Sequence, residues 1–355
     1  LMEAQRDQYI NAGSYERTSD RTDYRNGYYE RDYTVRVGTL TLKVPRTRDG
    51  KFSTDVFERY QRCEKALLAT LLEMYVSGVS TRKVSKIVEQ MCGTSVSKSF
   101  VSSLTKDLDE VVGRWQNRDL SGVSYPFLMV DVMFIKVRED HRVLSKSCHI
   151  AVGITGDGRR EVLGHMIGSG EREDTWSEFF DQLKSRGLSG VDLVISDAHA
   201  GLVSAARKTF VGSSWQRCQV HFLRNILAPA PRKNSEEFRE AVKGIFKLTT
   251  MKAAREAKNA VVDEYAGQSK YAKACEILDE GFDDAFQYIA LERTHNRLKS
   301  TNLLERLNQE VRRREKVVRI FPNVASANRL IGAVLMSSNE DWISSTRRYI
   351  RFEEE

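Results

Sequence analysis

The sequence predicts an α/β protein in which a mixed sheet is interrupted by a wholly helical block and preceded by a helical region. Three observations predict this. Apolar runs of strand length alternate with helical periods between Pro126 and Val220, no convincing strand follows from Phe222 to Lys299, and glycine-punctuated helical periods fill Asp55 to Trp115. With 355 residues, 41% of them hydrophobic, the chain is long enough to bury a core and to form two or three domains. No apolar run approaches the ~18 residues of a membrane span. The opening LMEAQRDQYI is too polar for a signal peptide, so the cytoplasm is the expected compartment and no membrane partner is expected. Leu1-Met2 leads directly into a Tyr/Arg-rich segment, which leaves room for a natural N-terminus upstream.

The elements follow in order. In residues 1–54, Tyr15, Tyr24, Tyr28, Tyr29 and Tyr33 interleave with Arg17, Arg21, Arg25, Arg31 and Arg36. Tyrosine faces stack on bases and arginines bind phosphates, so this is either a DNA-contacting arm or a subunit-docking arm. YTVRVGTLTLKVP alternates around Gly38 and ends at Pro45, a short hairpin. Residues 55–120 hold ALLATLLEMYVSG, ending at Gly78, then STRKVSKIVEQMC with Ser80 or Thr81 as N-cap. A third helix begins after Gly93 with Ser97 as its cap, and carries Lys98, Ser99, Ser102, Ser103 and Lys106. Short helices around a glycine turn fit a helix-turn-helix that binds DNA. They also fit a small helical packing or dimerisation domain.

Residues 121–225 are the α/β segment. FLMVDVMFIKV, KSCHIAVGITGDG and EVLGHMIGSG are three strands suited to an antiparallel meander. EDTWSEFFDQLKSRG is a helix stopping at Gly187, VDLVIS a short buried strand, DAHAGLVSAARKTF a helix, and SWQRCQV the last strand. Residues 226–298 are helical, as in EEFREAVKGIFKL and the stretch from Met251 to Tyr265. Residues 299–355 open with STNLLERLNQEVRRREK, where Leu303, Leu307 and Val311 recur every four residues beside Leu304. At about 100° per residue, Thr301, Glu305, Asn308 and Arg312 share a polar face of that helix, and Glu310 falls near the apolar edge. Taken alone, such a helix also reads as a solvated face laced with ion pairs.

Charge is concentrated in the same place. The net charge is +7, and between Arg293 and Arg319 nine Lys or Arg residues stand against three Glu. A phosphate backbone suits such a cluster, because its neutralisation releases counterions. Five cysteines, Cys63, Cys92, Cys148, Cys218 and Cys275, are scattered without a CxxC pair, which excludes a zinc ribbon and a disulfide framework.

Two aspartates occupy unusual positions. Asp131 interrupts an apolar strand, where an unpaired carboxylate costs several kcal/mol. Asp197 stands where VDLVIS ends and a helix begins, so it is also a candidate helix cap. With Glu305 they form a strand-borne Asp, a strand-end Asp and a helical Glu, the oxygen-ligand set of a two-metal phosphoryl-transfer site.

The elements VDVMFIKVRED, HIAVGITGDGRREVLG, LVISDAHAGL, WQRCQVHFLRN and STNLLERLNQEVRRREKVVRIFPN resemble the Mutator-type bacterial insertion-sequence transposases, a branch of the DDE transposases. The resemblance runs from about Tyr15 to the C-terminus. It implies a ribonuclease-H-like catalytic core in residues 121–225 and 299–355, with an all-helical insertion domain between them. It implies Asp131, Asp197 and Glu305 as catalytic residues and as ligands of two Mg²⁺ ions, with Mn²⁺ as substitute. The implied partners are double-stranded DNA, as terminal inverted repeats and target, and a second copy in a homodimer or higher assembly; no small-molecule substrate is expected. The bacterial nucleoid is the implied location.

The resemblance also singles out Cys218 and His221 in QRCQVHFLRN, near the active site, and His199 in SDAHAGL takes a similar place. The Cys-x-x-His pair has no second pair at zinc-finger spacing. It is either part of the chemistry or a buried structural pair. Arg306, Arg312, Arg313, Arg314, Lys316 and Arg319, on or just after the Glu305 helix, are candidate phosphate contacts. Lys98, Ser102 and Lys106 are candidates in the helical region. A nuclease that only hydrolyses and a non-catalytic repressor are the rival readings.

Overall fold

The structure, a computed structural model, describes residues 1–35, 38–56, 65–92, 101, 105–291 and 295–352. The chain divides into two units, Leu1–Asp107 and Leu108–Glu355. That division puts the sheet, the helical block and the C-terminal helices in one unit.

The first unit holds α1 (Met2–Tyr9), a ribbon of β1 (Arg25–Val35) and β2 (Gly38–Thr47), and the helices α2 (Lys65–Val76) and α3 (Thr81–Cys92). The expected arm is partly folded. Helix α1 carries no strong apolar stripe and was not anticipated; Arg25 anchors the segment after it by pairing with Asp7 at 2.7 Å and donating to the carbonyls of Ala12 and Gly13. Several of the arginines lie over tyrosine rings of the same segment, Arg6 over Tyr28 and Arg21 over Tyr24, each at 5.5 Å. The hairpin is longer than expected, and Pro45 does not end it but pairs with Tyr28. A two-stranded ribbon tolerates proline because no third strand needs its missing N–H.

Helices α2 and α3 meet as expected across Gly78, whose φ of 90° favours glycine. Ser80 caps α3 by accepting from the Lys83 N–H at 3.4 Å. Leu67, Leu71, Val84, Val88 and Val101 form their common core. Most of the expected third helix, including Ser97, Lys98, Ser99, Ser102 and Ser103, lies outside the described residues. Lys106 is exposed on a single 3₁₀ turn, Thr105–Asp107.

The second unit begins with α4 (Leu108–Gln116). Its sheet contains β3 (Phe127–Glu139), β4 (Arg142–Ile154), β5 (Arg160–Gly168), β6 (Leu193–Ser196) and β7 (Ser214–Arg217), in the order β5-β4-β3-β6-β7. The first three form the antiparallel meander expected from the sequence, and β6 and β7 run parallel to β3. Helices α5 (Glu173–Ser185) and α6 (Ala200–Thr209) make the parallel crossovers. Trp176, Phe179, Phe180 and Leu183 of α5 pack with Leu202, Ala205 and Ala206 of α6 over Leu128 and Val130. Each large side chain removed from water there stabilises the layer by roughly 1.5–3 kcal/mol.

Beyond the sheet come α7 (Gln219–Leu227), α8 (Glu236–Ile245), α9 (Met251–Tyr265) and α10 (Ser269–Gly281), a helical block as expected. Aromatic contacts hold it, with Phe238 stacked on Tyr271 at 4.4 Å and Phe282 on Phe286 at 4.6 Å. The chain returns to β7 where the Gln216 and Gln219 amides both donate to the Ala285 carbonyl, at 2.6 and 2.7 Å. Helix α11 (Asn302–Val318) then buries Leu303, Leu304, Leu307 and Val311, the stripe read from the sequence. After it, Phe321 exchanges backbone hydrogen bonds with Lys136 and Arg138 of β3. Helix α12 (Val324–Ser344) is anchored to β5 by Asn339, whose side chain accepts from the buried Val162 N–H at 2.7 Å. Among the described residues, no helix is long and apolar enough to cross a membrane.

Candidate active site

Strand register builds one half of the site. Phe127, Leu193 and Ser214 lie side by side on β3, β6 and β7. Continued four residues along each strand, that row reaches Asp131, Asp197 and Cys218. The carboxyl ends of parallel strands are where open α/β sheets place their ligands. Strand β6 pairs with β3 only as far as Met129, so Asp131 stands just past the end of its neighbour. Leu128 and Val130 face the α5/α6 core, and the alternation of the strand turns Asp131 to the opposite face, where α11 lies.

Helix α11 supplies the other half through its predicted polar face. The Thr301 N–H and hydroxyl both donate to Cys218 Sγ, at 3.4 and 3.3 Å. Glu305 Oε1 is 3.1 Å from His221 Nε2. Asn308 donates to Asp131 Oδ2 at 2.7 Å, while Asp131 Oδ1 accepts from the Val132 N–H at 2.8 Å. Arg312 donates to the Phe134 carbonyl at 2.9 Å and pairs with Glu315 at 3.0 Å.

His221, on the first turn of α7, is the centre of the cluster. Its Nδ1 contacts Asp197 and its Nε2 faces Glu305. The hydrogen bond to Asp197, with one to Cys218 and the charge of Asp197, pushes its pKa up to about 10, so it is a cation at neutral pH. Burial pushes Asp131 up to about 7, and the Asp197 and Glu171 charges add to this against the Val132 hydrogen bond and His221. Cys218 is fully buried. Burial alone would raise its thiol pKa, but hydrogen bonds with His221 and Thr301 outweigh this and lower it.

The structure therefore brings Asp131, Asp197, Glu305, Cys218 and His221 together. Among the described residues, the one group of His, Cys, Asp or Glu donors gathered within 4.8 Å of one another is Asp197, Cys218 and His221. Asp197 and Glu305 flank the imidazole, while Asp131 is held by Val132 and Asn308. Asp197 is not a helix cap, which corrects that reading. The N-cap of α6 is His199, and Asp197 engages His221 instead. The last strand also stops earlier than expected, at Arg217, which leaves Cys218 to cap α7. His199 Nδ1 lies 3.7 Å from Glu171.

Glu171 was missed in the sequence. It sits in the turn between β5 and α5, with 18% of its side chain exposed, and burial followed by the nearby Asp197 charge raises its pKa. Its position in the charged run EREDTW hid it.

The basic residues divide. Arg313 and Arg314 both pair with Glu310, which takes the ion-pair role open to it at the apolar edge. Arg306 and Lys316 are exposed. Arg319 ends α11 with a φ of 64°, its N–H bonded to the Glu315 carbonyl at 2.7 Å.

The residues fit a hard divalent cation in their chemistry. Asp131, Asp197 and Glu305 are oxygen donors, and the raised pKa of Asp131 marks a part-buried carboxyl short of positive charge. The nitrogen and sulfur of His221 and Cys218 would suit a softer ion, but Cys218 Sγ already accepts two hydrogen bonds from Thr301.

Comparison with known proteins is consistent along the whole chain. The family profile described as Transposase, Mutator family, matches residues 1–345. The transposase for insertion sequence element IS256 in transposon Tn4001 of Staphylococcus aureus is 69% identical over 353 residues, 99% of this chain and 90% of that protein. The transposase for insertion sequence element ISRM5 of Rhizobium meliloti is 42% identical, over 100% of this chain and 88% of that protein. The transposase for IS1081 of Mycobacterium tuberculosis is 39% identical, over 99% and 85%.

Proposed function

The chain belongs to the Mutator family of transposases, and from that premise we propose that it cuts DNA at the ends of its own insertion sequence and joins the freed 3′-hydroxyls to target DNA. The observation that carries the site assignment is the row Asp131, Asp197, Cys218 at the ends of adjacent parallel strands, with Glu305 set against it from α11. A ribonuclease-H-like core with an inserted helical block is the corresponding fold reading, supported by the sheet order and by the helices between β7 and α11.

Asp131, Asp197 and Glu305 would hold two Mg²⁺ ions, or Mn²⁺ in their place, whose chemistry is to activate the attacking water or 3′-hydroxyl and to stabilise the leaving oxygen. Asn308 orients the Asp131 carboxylate through its hydrogen bond. His221 supplies a positive charge between Asp197 and Glu305, which offsets the repulsion of carboxylates gathered in one cleft. Cys218 and Thr301 tie the start of α7 to the start of α11, so that His221 and Glu305 keep their separation. The paired helices α2 and α3 support a helix-turn-helix role in binding the terminal inverted repeats, and a dimer or larger assembly would bring two ends together.

A labelled element end tests this. Incubation with the protein and Mn²⁺, followed by sequencing of every product, should give cleavage at the element boundary and joined strands. A pre-cut 3′-end should also be joined. Nicking without any joined product would leave a nuclease that only hydrolyses.

A further inference from the structure

On the other side of the α11 start from the carboxylates, a cleft of about 450 Å³ opens between segments far apart in sequence. Seven of its fifteen lining residues are Arg or Lys, against one acid, Asp341. The cations come from the start of β5 (Arg160), from either side of the α11 N-terminus (Arg297 and Arg306), and from the chain after α12 (Arg347 and Arg348). Among the described residues, Arg159 alone of the seven has a carboxylate partner within 4 Å, Asp157 at 3.2 Å. Burial, and then the crowding of Arg297, Arg306 and Arg347, holds the Arg160 pKa below its ordinary value. Cations collected against their mutual repulsion are best satisfied by an anion from outside the fold.

Two aromatic rings organise them. Arg160 lies over Trp342 at 4.2 Å and over Tyr349 at 5.0 Å, and Arg297 lies over Tyr349 at 4.7 Å. A guanidinium stacked on a ring is held in place while its N–H edge stays available to phosphate oxygens. With those rings already covered by guanidinium groups, stacking of a nucleobase is not the chemistry on offer. Ser300 and Asn302 line the cleft, while Thr301 between them bonds to Cys218. Arg306 follows Glu305 on the helix, about 100° around its axis. A strand lying across the carboxylates would meet the cleft one side of a helix away.

We propose that this cleft is a second nucleic-acid site, which grips the phosphodiester backbone of the DNA strand flanking the bond to be cut and does not read its bases. The proposal rests on the transposase reading for the identity of the bond, but its test reads binding.

Arg347 and Arg348 are exposed, so Arg347→Ala/Arg348→Ala should fold normally. Its affinity for a labelled duplex carrying the terminal repeat, measured against salt without divalent metal, should fall. The slope of log K against log salt should drop by about 1.8 for two lost phosphate contacts. Arg347→Lys/Arg348→Lys should restore the slope, and Lys252→Ala/Lys270→Ala in the helical block should leave it unchanged. An affinity and slope equal to those of the unaltered protein would overturn the proposal. So would loss of inorganic triphosphate binding with the DNA slope intact, which would mark a site for a free polyphosphate. Asp131→Ala separates the two readings, since it should lose cleavage and keep the slope. If the unaltered protein cuts no DNA but its slope depends on Arg347 and Arg348, the cleavage reading fails and the cleft stands.

Discussion

Asp131 can remain in an apolar strand because its two oxygens are satisfied differently, one by its own strand and one by α11. A hydrogen bond to a charged group contributes about 1.5–3 kcal/mol, enough to offset much of the desolvation that raises this carboxyl. Asn308→Ala removes one of these two bonds, so it should lower the stability in urea unfolding without metal by about 1–3 kcal/mol. It should raise the Mg²⁺ concentration for half-maximal cleavage by roughly 10- to 100-fold. An unaltered Mg²⁺ requirement would show that Asn308 does not position the carboxylate. Two histidines away from the site set a different dependence. Burial pushes both His149 and His165 down to about 4, so both are neutral in the folded protein. The unfolded chain binds their protons first, so the stability is fully present above pH 6.5 and is lost as pH falls toward 4. The loss is on the order of 3 kcal/mol per histidine. Urea unfolding at pH 7 and pH 5 should show this fall, and His165→Gln, which cannot titrate, should show a smaller one.

At the level of elements, α11 was largely legible. The 100° step alone put Thr301, Glu305, Asn308 and Arg312 on one face, and each of them meets a partner on β3 or α7, or at the Cys218 between β7 and α7. What the step cannot give is the partner. The Asp131, Asp197, Cys218 row needs strand pairing across 87 residues of sequence, which no local pattern contains. Asp197 was open to a capping role because it precedes a helix, and only the position of the true N-cap, His199, excludes it. Helix α12 shows a further constraint that composition hides. A Cβ on Gly332 would lie 2.3 Å from Val112 Cγ1 and 3.0 Å from His165 Cε1, so α12 meets α4 and β5 through that glycine. Gly332→Ala should destabilise the protein by about 1–3 kcal/mol through overpacking. Val112→Ala in the same chain should recover part of that loss in denaturant titrations, and strictly additive losses would place the clash elsewhere.

For the whole molecule, the succession of strands and helices and the helical block followed from long apolar runs and from their absence, while the placing of β6 beside β3 and of β7 beside β6 came only with the structure. The basic cleft did not follow from such runs, because Arg160, Arg297, Arg306 and Arg347 converge from segments that are separate in sequence. The concentration of charge around α11 was visible, but its division was not. Arg313 and Arg314 are engaged by Glu310, while Arg306 joins the cleft. Glu305 links these scales, since it lies on the predicted helix face, touches His221 beside Asp197 and directly precedes Arg306 of the cleft. Glu305→Gln is therefore the most direct measurement, assayed with a labelled element end for binding, cleavage and strand transfer, alongside Asp131→Ala and Asp197→Ala. Each variant should bind the end as tightly as the unaltered protein and give neither cleaved nor joined product. Full strand transfer by Glu305→Gln would contradict the assignment of the site.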